Sequence, residues 1–423
     1  MNLTLAKAVD RYAGSVVCYL LAGLRQLRNM VAPRTALVET RTLLLIKFWG
    51  LGNMVLLIPV VRELRQRFPD ARIVFVSLRR NRPLLEAMDA LDQRIYIDDR
   101  NGFALAATLF AAVFKAWRTR PQLCVDFEQF ARFSAILAVL ARAQQIVGLA
   151  TPGQVRSVLY HKPIPYDDDQ HMGQTYLDLA RAAGVRTLAY RPWPVPYLPE
   201  HVAEVRSLLP DEVPGALVVL HPGSGDNFQG RRWPATAFAE LADRLVAQYG
   251  ATVVITGTEA ERPLVEQVVG ATTAQATSQA GPSVVGAAGR LSVLGLAALL
   301  DEADLLVTND TAPVHLGSAA GTPVLAFFGP NTPRLYGPLS TGSHAFYAAL
   351  PCSPCLTNMN YKTSLCRMPV CIRDITVDEV ERRVAACLSE RDQLRARRQR
   401  DTAGPRDADD PPDAGGDRHV RAG

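Results

Sequence analysis

The chain has 423 residues, 48% of them hydrophobic and 21% charged, with a formal net charge of +5. This is an ordinary soluble globular balance whose basic excess is too weak to argue for nucleic acid, though it suits an acidic substrate or an anionic membrane surface. The length favours two domains, and no apolar run is long enough to span a bilayer.

Residues 1–40 hold an apolar stretch, Ser15 to Leu24, flanked by Lys7, Arg11, Arg25, Arg28 and Arg34. It has the outline of a signal peptide but lacks a clean small-residue cleavage site. A basic amphipathic helix on a membrane surface fits better, and a helix packed on the protein's own body fits as well.

Residues 41–190 read as one α/β unit. Thr42 to Phe48 is a buried-type strand running into the Gly-punctuated turn Trp49 to Met54, with a helix from about Val55 to Arg67. Gly50 and Gly52 permit close backbone approach at the strand's carboxyl end. Strands follow at Ile73 to Leu78, Arg94 to Asp98, Leu123 to Phe127 and Gln145 to Leu149, and Gly102 to Trp117 has helical periodicity. The acidic run before His171, Tyr166 to Gln170, either caps the helix that follows or lines a cleft. Residues 191–200 carry four prolines and read as a stiff connector.

Residues 201–390 restart the pattern. Leu217 to His221 is a strand ending in H-P-G-S-G-D-N, with Arg231 and Arg232 before a helix from about Thr236 to Tyr249. Thr252 to Thr256 ends in G-T-E-A-E at another helix start. Ala271 to Pro282 is a weak polar loop, and Leu291 to Asp301 is helical.

Leu305 to Phe328 then reads as strand, turn, helix, strand. Asn309, Asp310 and Thr311 supply helix-capping side chains, and Pro313 suits the first turn. Backbone N–H groups and a positive helix end would point out of the sheet's carboxyl edge, which makes an anion site. An ordinary βαβ turn with a capping Asp is the plain alternative. From Arg391 the chain is charged and rich in Pro and Gly, so residues 391–423 are expected to be disordered.

Four ordered segments carry a family resemblance: G-L-G-N followed by F-P-D-A, H-P-G-S-G with R-R-W-P, G-T-E-A-E, and N-D-T-A-P-V-H-L with G-T-P-V-L-A-F-F-G-P. With them, residues from about Thr42 to Val384 resemble glycosyltransferase family 9, the heptosyltransferases of bacterial lipopolysaccharide assembly. The resemblance implies the α/β GT-B architecture, two Rossmann-like domains facing a central cleft. It implies inverting, metal-independent transfer of a sugar, heptose among the candidates, from a nucleotide-sugar donor to a glycolipid or polysaccharide acceptor. The expected location is cytoplasmic, peripheral on a bacterial inner membrane.

The resemblance places the donor mainly on the second domain. Asp310 and Thr311 would meet the sugar and diphosphate, and Ala312 stands where many relatives carry Gly. His315 either faces the phosphates or packs. Arg231 would offset leaving-group charge without a metal, beside Ser224 and Gly225. Glu259 or Glu261 would take the donor ribose hydroxyls, although helix capping accounts for either. Gly50 and Gly52 lie on the acceptor side. Asn53 departs from the family pattern, which has Asp there as the base. An amide takes no proton at neutral pH, so a base at Asp126, Glu128 or Asp168, an acceptor merely oriented by Asn53, or a silent binding protein are the open alternatives. An epimerase or hydrolase of the same architecture ranks last, because the matched segments do not show a cleft rich in catalytic carboxylates and His.

Cys352, Cys355, Cys366 and Cys371 share one loop, residues 352–371, and could complete a tetrahedral structural Zn site; free thiols or disulfides are the alternatives. Cys18, Cys124 and Cys387 read as buried or incidental thiols. No cofactor is expected for catalysis.

Overall fold

Two parallel six-stranded sheets carry the molecule, described in a computed structural model for residues 3–31, 39–210, 213, 215–225, 228–273, 283–357 and 364–389. The expected tail at 391–423 lies outside these residues, as do Asp226, Asn227 and most of the polar loop after Ala271. The first sheet contains β1 (Thr42–Ile46), β2 (Arg72–Leu78), β3 (Gln93–Ile97), β4 (Leu123–Asp126), β5 (Gln145–Ala150) and β6 (Lys162–Pro165). Its order is β3-β2-β1-β4-β5-β6, with Leu43 level with Ile73 on one side and Leu123 on the other.

The second sheet contains β7 (Leu217–His221), β8 (Thr252–Ile255), β9 (Val284–Gly286), β10 (Leu305–Asn309), β11 (Val324–Phe328) and β12 (His344–Tyr347). Its order, β12-β11-β10-β7-β8-β9, is the same doubly wound arrangement repeated from its own first strand. Every residue of β1, β7, β10 and β11 is buried. Helices on both faces of a parallel sheet leave no solvent side, so these strands read as largely apolar runs, with polar residues only at their ends. The short edge strands β6, β9 and β12, at most four residues each, carry no such run and were not legible.

On the first sheet lie α2 (Leu51–Arg67), α3 (Arg82–Ala87), α4 (Gly102–Arg118) and α5 (Arg132–Leu140), with α6 (Met172–Ala182) packed on α2. The second sheet carries α8 (Ala235–Tyr249), α9 (Arg262–Ala271), α10 (Val293–Glu302), α11 (Ala312–Ala320), α12 (Pro333–Tyr336), α13 (Val370–Arg373) and α14 (Val377–Ser389), while α7 (Pro199–Arg206) packs on α10. α2 begins four residues earlier than the sequence suggests. Gly50, at φ 91°, turns the chain straight from strand to helix, so Asn53 stands in the first helical turn and not in a loop.

The N-terminal segment forms α1 (Leu3–Val31), which packs along α5. Cys18 is fully buried there, and Gly14 sits against the Arg132 side chain. The Asp10 carboxylate accepts the backbone N–H groups of Arg132 and Phe133 at 3.1 and 3.0 Å, a carboxylate on a helix amino end.

Beneath the turn that follows β1 runs a buried polar network. Lys47 Nζ lies 3.1 Å from Glu128, whose Oε1 accepts the N–H groups of Phe48 and Trp49 at 2.6 and 2.9 Å. Asp126 accepts from Arg156 at 2.9 Å and from the hydroxyls of Ser134 and Tyr160, each at 2.8 Å. Burial pushes the Glu128 carboxyl up, but Lys47 and the two N–H groups outweigh it and hold it below the usual range.

A buried ion pair loses most when one partner is removed. Lys47→Met is expected to lower unfolding free energy by about 3 kcal/mol, and adding Glu128→Gln to recover much of it. Urea denaturation of the three proteins checks this; an unchanged midpoint in Lys47→Met would show that the pair does not hold the turn.

Candidate active site

In doubly wound sheets ligands settle beyond the carboxyl ends of the strands, where the order reverses. In the second sheet that point lies between β7 and β10, and both following loops were singled out in the sequence. Asn309, at the end of β10, joins them. Its Oδ1 accepts the Trp233 N–H at 2.9 Å, and its Nδ2 donates to the carbonyls of Pro222 and Gly223 at 2.7 and 3.2 Å.

Arg231 spans the same gap. Nη1 donates to the Asp310 carbonyl at 2.9 Å and lies 3.5 Å from the Asp310 carboxylate, while Nη2 donates to the Ser224 carbonyl at 2.6 Å. Arg232 donates to Ser224 Oγ at 3.1 Å. Asp310 is further held by Asn331, whose Nδ2 donates to Oδ2 at 2.9 Å. Asn331 was not singled out in the sequence; its only signal was its position just past the end of β11.

Glu261 fixes the loop after β7. Oε1 accepts the N–H groups of Ser224 and Gly225, both at 3.1 Å, and Oε2 accepts the N–H and hydroxyl of Thr258 at 3.0 and 2.9 Å. A carboxylate offers about four acceptor positions, and all are taken. Burial pushes this carboxyl up, but those hydrogen bonds and His221 bring it below its usual value. Glu259 is exposed and paired with Arg262 at 2.6 Å.

Thr311 caps α11 in an extended conformation, without a hydrogen bond from its side chain into the helix. The first-turn N–H groups of a helix have no partner within it. Across the cleft the amino end of α2 meets the amino end of α11. A Cβ on Gly52 would lie 2.6 Å from His315 Cδ2 and 3.3 Å from Ala312 Cα, so only glycine permits this approach. His315 is thus buried against the opposite domain.

Asn53 stands at this seam. Its Nδ2 donates to the Trp49 carbonyl at 3.4 Å, and its Oδ1 is buried with no hydrogen-bond partner among the described residues. Asn331 Oδ1, beside Asp310, is in the same position. Buried polar atoms are nearly always paired, so each of these oxygens is an open acceptor within the protein.

A second seam contact comes from the segment before α6. His171 Nδ1 accepts the Gly173 N–H at 3.1 Å, and Nε2 donates to the Gly337 carbonyl of the second domain at 3.2 Å. Burial lowers this imidazole to about 4. Asp169 pairs with Arg334 across the same seam.

The three carboxylates considered as bases fall into two environments. Asp126 and Glu128 are 0% and 2% exposed, inside the network beneath α2, while Asp168 is exposed in the segment before α6. Burial pushes Asp126 up, with Arg156, Ser134 and Tyr160 opposing it. The loop thiols gather near Cys371, which burial and then Cys355, Cys352 and Cys366 push up to about 11. Among the described residues, however, no three His, Cys, Asp or Glu form a metal-holding group.

The two facing Rossmann-like domains form a GT-B glycosyltransferase fold. The chain belongs to glycosyltransferase family 9 (heptosyltransferase), whose model matches residues 129–365. It is 25% identical to lipopolysaccharide heptosyltransferase 3 of Escherichia coli over 307 residues, 70% of this chain and 86% of that protein. It is 32% identical to lipopolysaccharide heptosyltransferase 1 of Pseudomonas aeruginosa over 164 residues, 38% of this chain and only 42% of that protein's length. The structure of E. coli ADP-heptose lps heptosyltransferase II superposes with a TM-score of 0.65 at 21% identity, covering 83% of this chain and 99% of that one.

The buried histidine at the end of β7 gives a pH dependence. His221 Nδ1 lies 3.0 Å from Thr256 Oγ1, and burial lowers its pKa from 6.5 to about 4. Between those values the unfolded chain binds a proton that folded His221 refuses. Stability therefore falls as pH drops through this window, by about 3 kcal/mol at full extent. Thermal unfolding from pH 7 to 4.5 should show a shallower loss in His221→Gln than in the wild type; parallel curves would contradict it.

Proposed function

We propose that this chain is an inverting, metal-independent glycosyltransferase. It moves a sugar, heptose in the first instance, from a nucleoside-diphosphate donor to a lipopolysaccharide or other glycolipid precursor. It works peripherally, at the cytoplasmic face of a bacterial inner membrane. The observation that carries the reading is the convergence of Arg231, Asp310 and Ser224 at the switch point of the second sheet, facing the amino end of α2. Family membership and the similar heptosyltransferases support it.

On this reading the diphosphate lies at the amino end of α11 and against Arg231, with Thr311 and Ala312 beside it and the Ser224–Gly225 loop, whose N–H groups Glu261 holds, as the adjoining wall. Arg231 offsets the charge that grows on the departing diphosphate. Asp310, oriented by Arg231 and Asn331, meets the sugar hydroxyls. Glu261 sets the loop, so the ribose hydroxyls pass to Glu259.

Inversion needs a proton acceptor on the face opposite the leaving group. Asn53 orients the acceptor hydroxyl through its unpartnered Oδ1 but takes no proton. Asp126 and Glu128 have almost no exposed surface and are committed to Arg156 and Lys47. That leaves Asp168, on the exposed segment beside the domain seam, as the base. A second reading, a silent nucleotide-sugar-binding protein, is favoured by the amide at Asn53 alone.

Arg231→Ala is expected to lower kcat by roughly 10²–10³-fold. Asp168→Asn should abolish transfer while donor affinity, measured by calorimetry, stays within about twofold. Full turnover in Asp168→Asn would remove Asp168 as the base. Donor binding without turnover by the wild type, across a broad acceptor range, would establish the silent reading.

We also propose that Cys352, Cys355, Cys366 and Cys371 form a structural zinc site, separate from the reaction. The Cys352–Cys355 spacing and the presence of four thiols in one loop support it, and binding of the ion would draw the thiols together. One zinc per chain, with a lower Tm after chelation or in Cys371→Ser, is the expected result. Metal content well below one equivalent would contradict it.

A further inference from the structure

Two helices on one side of the first domain turn large apolar side chains to solvent. α4 has two apolar faces. Leu105, Leu109, Ala112, Val113 and Ala116 pack into the core over the sheet. Phe103, Phe110, Phe114 and Trp117 point outward and are 86, 79, 48 and 40% exposed. Their spacings of seven, four and three residues keep them on one stripe of the helix.

α1 repeats the arrangement. Gly14 and Cys18 face α5, while Tyr12, Val16, Tyr19, Leu20 and Leu24 are exposed. Through Cys18, Leu21 and Ala22, α1 joins the same core cluster as α4, so both helices cover the same face of the sheet. Apolar side chains scattered singly on a surface are ordinary, but rows of them mark an interaction site.

The charges show what covers these rows. α1 carries Lys7, Arg11, Arg25 and Arg28 against a single acid, Asp10, and Asp10 is turned inward onto the amino end of α5. α4 holds Lys115 and Arg118 and no acid. Asp98 and Asp99, just ahead of α4, are paired with Arg100 and Arg80. Guanidinium groups accompany the exposed rings: Arg11 over Tyr12 at 5.6 Å, Arg118 over Phe114 at 5.8 Å, Arg142 over Trp117 at 5.9 Å. Aromatic rings beside Arg and Lys, without free carboxylates, match the headgroup layer of an anionic bilayer. No helix among the described residues is long and apolar enough to cross a membrane.

We propose that α1 and α4 together form a docking face for an anionic lipid bilayer, with the α4 aromatic stripe entering the headgroup layer. This deepens the peripheral-membrane part of the proposed function and rests on that reading for a membrane-borne acceptor. The occupant is a lipid surface; a second copy of the chain is the competing one.

The test is flotation of the full chain with vesicles of phosphatidylethanolamine and phosphatidylglycerol, and separately with pure phosphatidylcholine. Wild type should float with the anionic vesicles, not with the neutral ones, and be released by high salt. The variant Phe110→Ser/Phe114→Ser/Trp117→Ser removes only side chains at the surface, so its Tm should hold. Its bound fraction should fall roughly tenfold, and Arg118→Glu should weaken binding as well. Transfer to a short water-soluble acceptor should be unchanged in the triple variant, while transfer to acceptor embedded in vesicles drops. A wild type that stays in solution, or a triple variant that floats like it, overturns the proposal. So does a wild-type dimer that the triple variant splits, without vesicle binding, because the face would then belong to a second copy. Flotation as expected with no turnover on either acceptor would sink the transferase reading and leave the docking face standing.

Discussion

Arg231 holds together the two loops that leave the second sheet where its strand order reverses. One end of its guanidinium grips the carbonyl and carboxylate of Asp310, and the other grips the Ser224 carbonyl. A planar five-donor cation can bind both loops and still face a phosphate, whereas a point charge on a flexible stem cannot. Asn309 and Glu261 reinforce the clamp from beneath, through backbone groups of Pro222, Gly223, Ser224 and Gly225. The Gly-rich loop is therefore fixed by the fold itself, which is what the proposed stabilisation of a departing diphosphate would require.

The first domain supplies the opposite wall by the same logic. The buried Lys47–Glu128 pair fixes the backbone of Phe48 and Trp49, and Gly50 then turns the chain directly into α2. Gly52 lets the amino end of that helix reach His315 and Ala312 on α11. Two helix amino ends and a guanidinium thus converge on one cleft. Such a convergence favours an anion, and it leaves Asn53 at the seam with an unsatisfied oxygen.

Much of this was legible in the sequence because parallel strands buried on both faces are written as largely apolar runs, and because the turns after β1, β7 and β10 are written in Gly, Asn and Asp. The edge strands β6, β9 and β12 were not, since three or four residues carry no period, and β6 is further interrupted by two prolines. The start of α2 was misplaced because a left-handed Gly50 can begin a helix where a loop is the ordinary expectation. The environments of Asp126 and Glu128 were hidden for a different reason. D-F-E after a strand has the look of a catalytic pair, and its partners Lys47 and Arg156 lie far away in the chain. Only the fold brings those four charges together. Asn331 escaped for want of any motif beyond its place after β11. The outward aromatic face of α4 was masked by the inward one, since both are apolar and the helix reads as an ordinary core helix.

The proposed function depends on binding of a nucleoside diphosphate at the second switch point. Calorimetric titration of the wild type with ADP, GDP and UDP, at low and high salt, tests it most directly. The expected result is one site with clear preference for one base and an affinity that weakens as salt screens Arg231. Absence of binding by every nucleotide, or equal salt-insensitive binding of all three, would contradict the donor site and the function built on it.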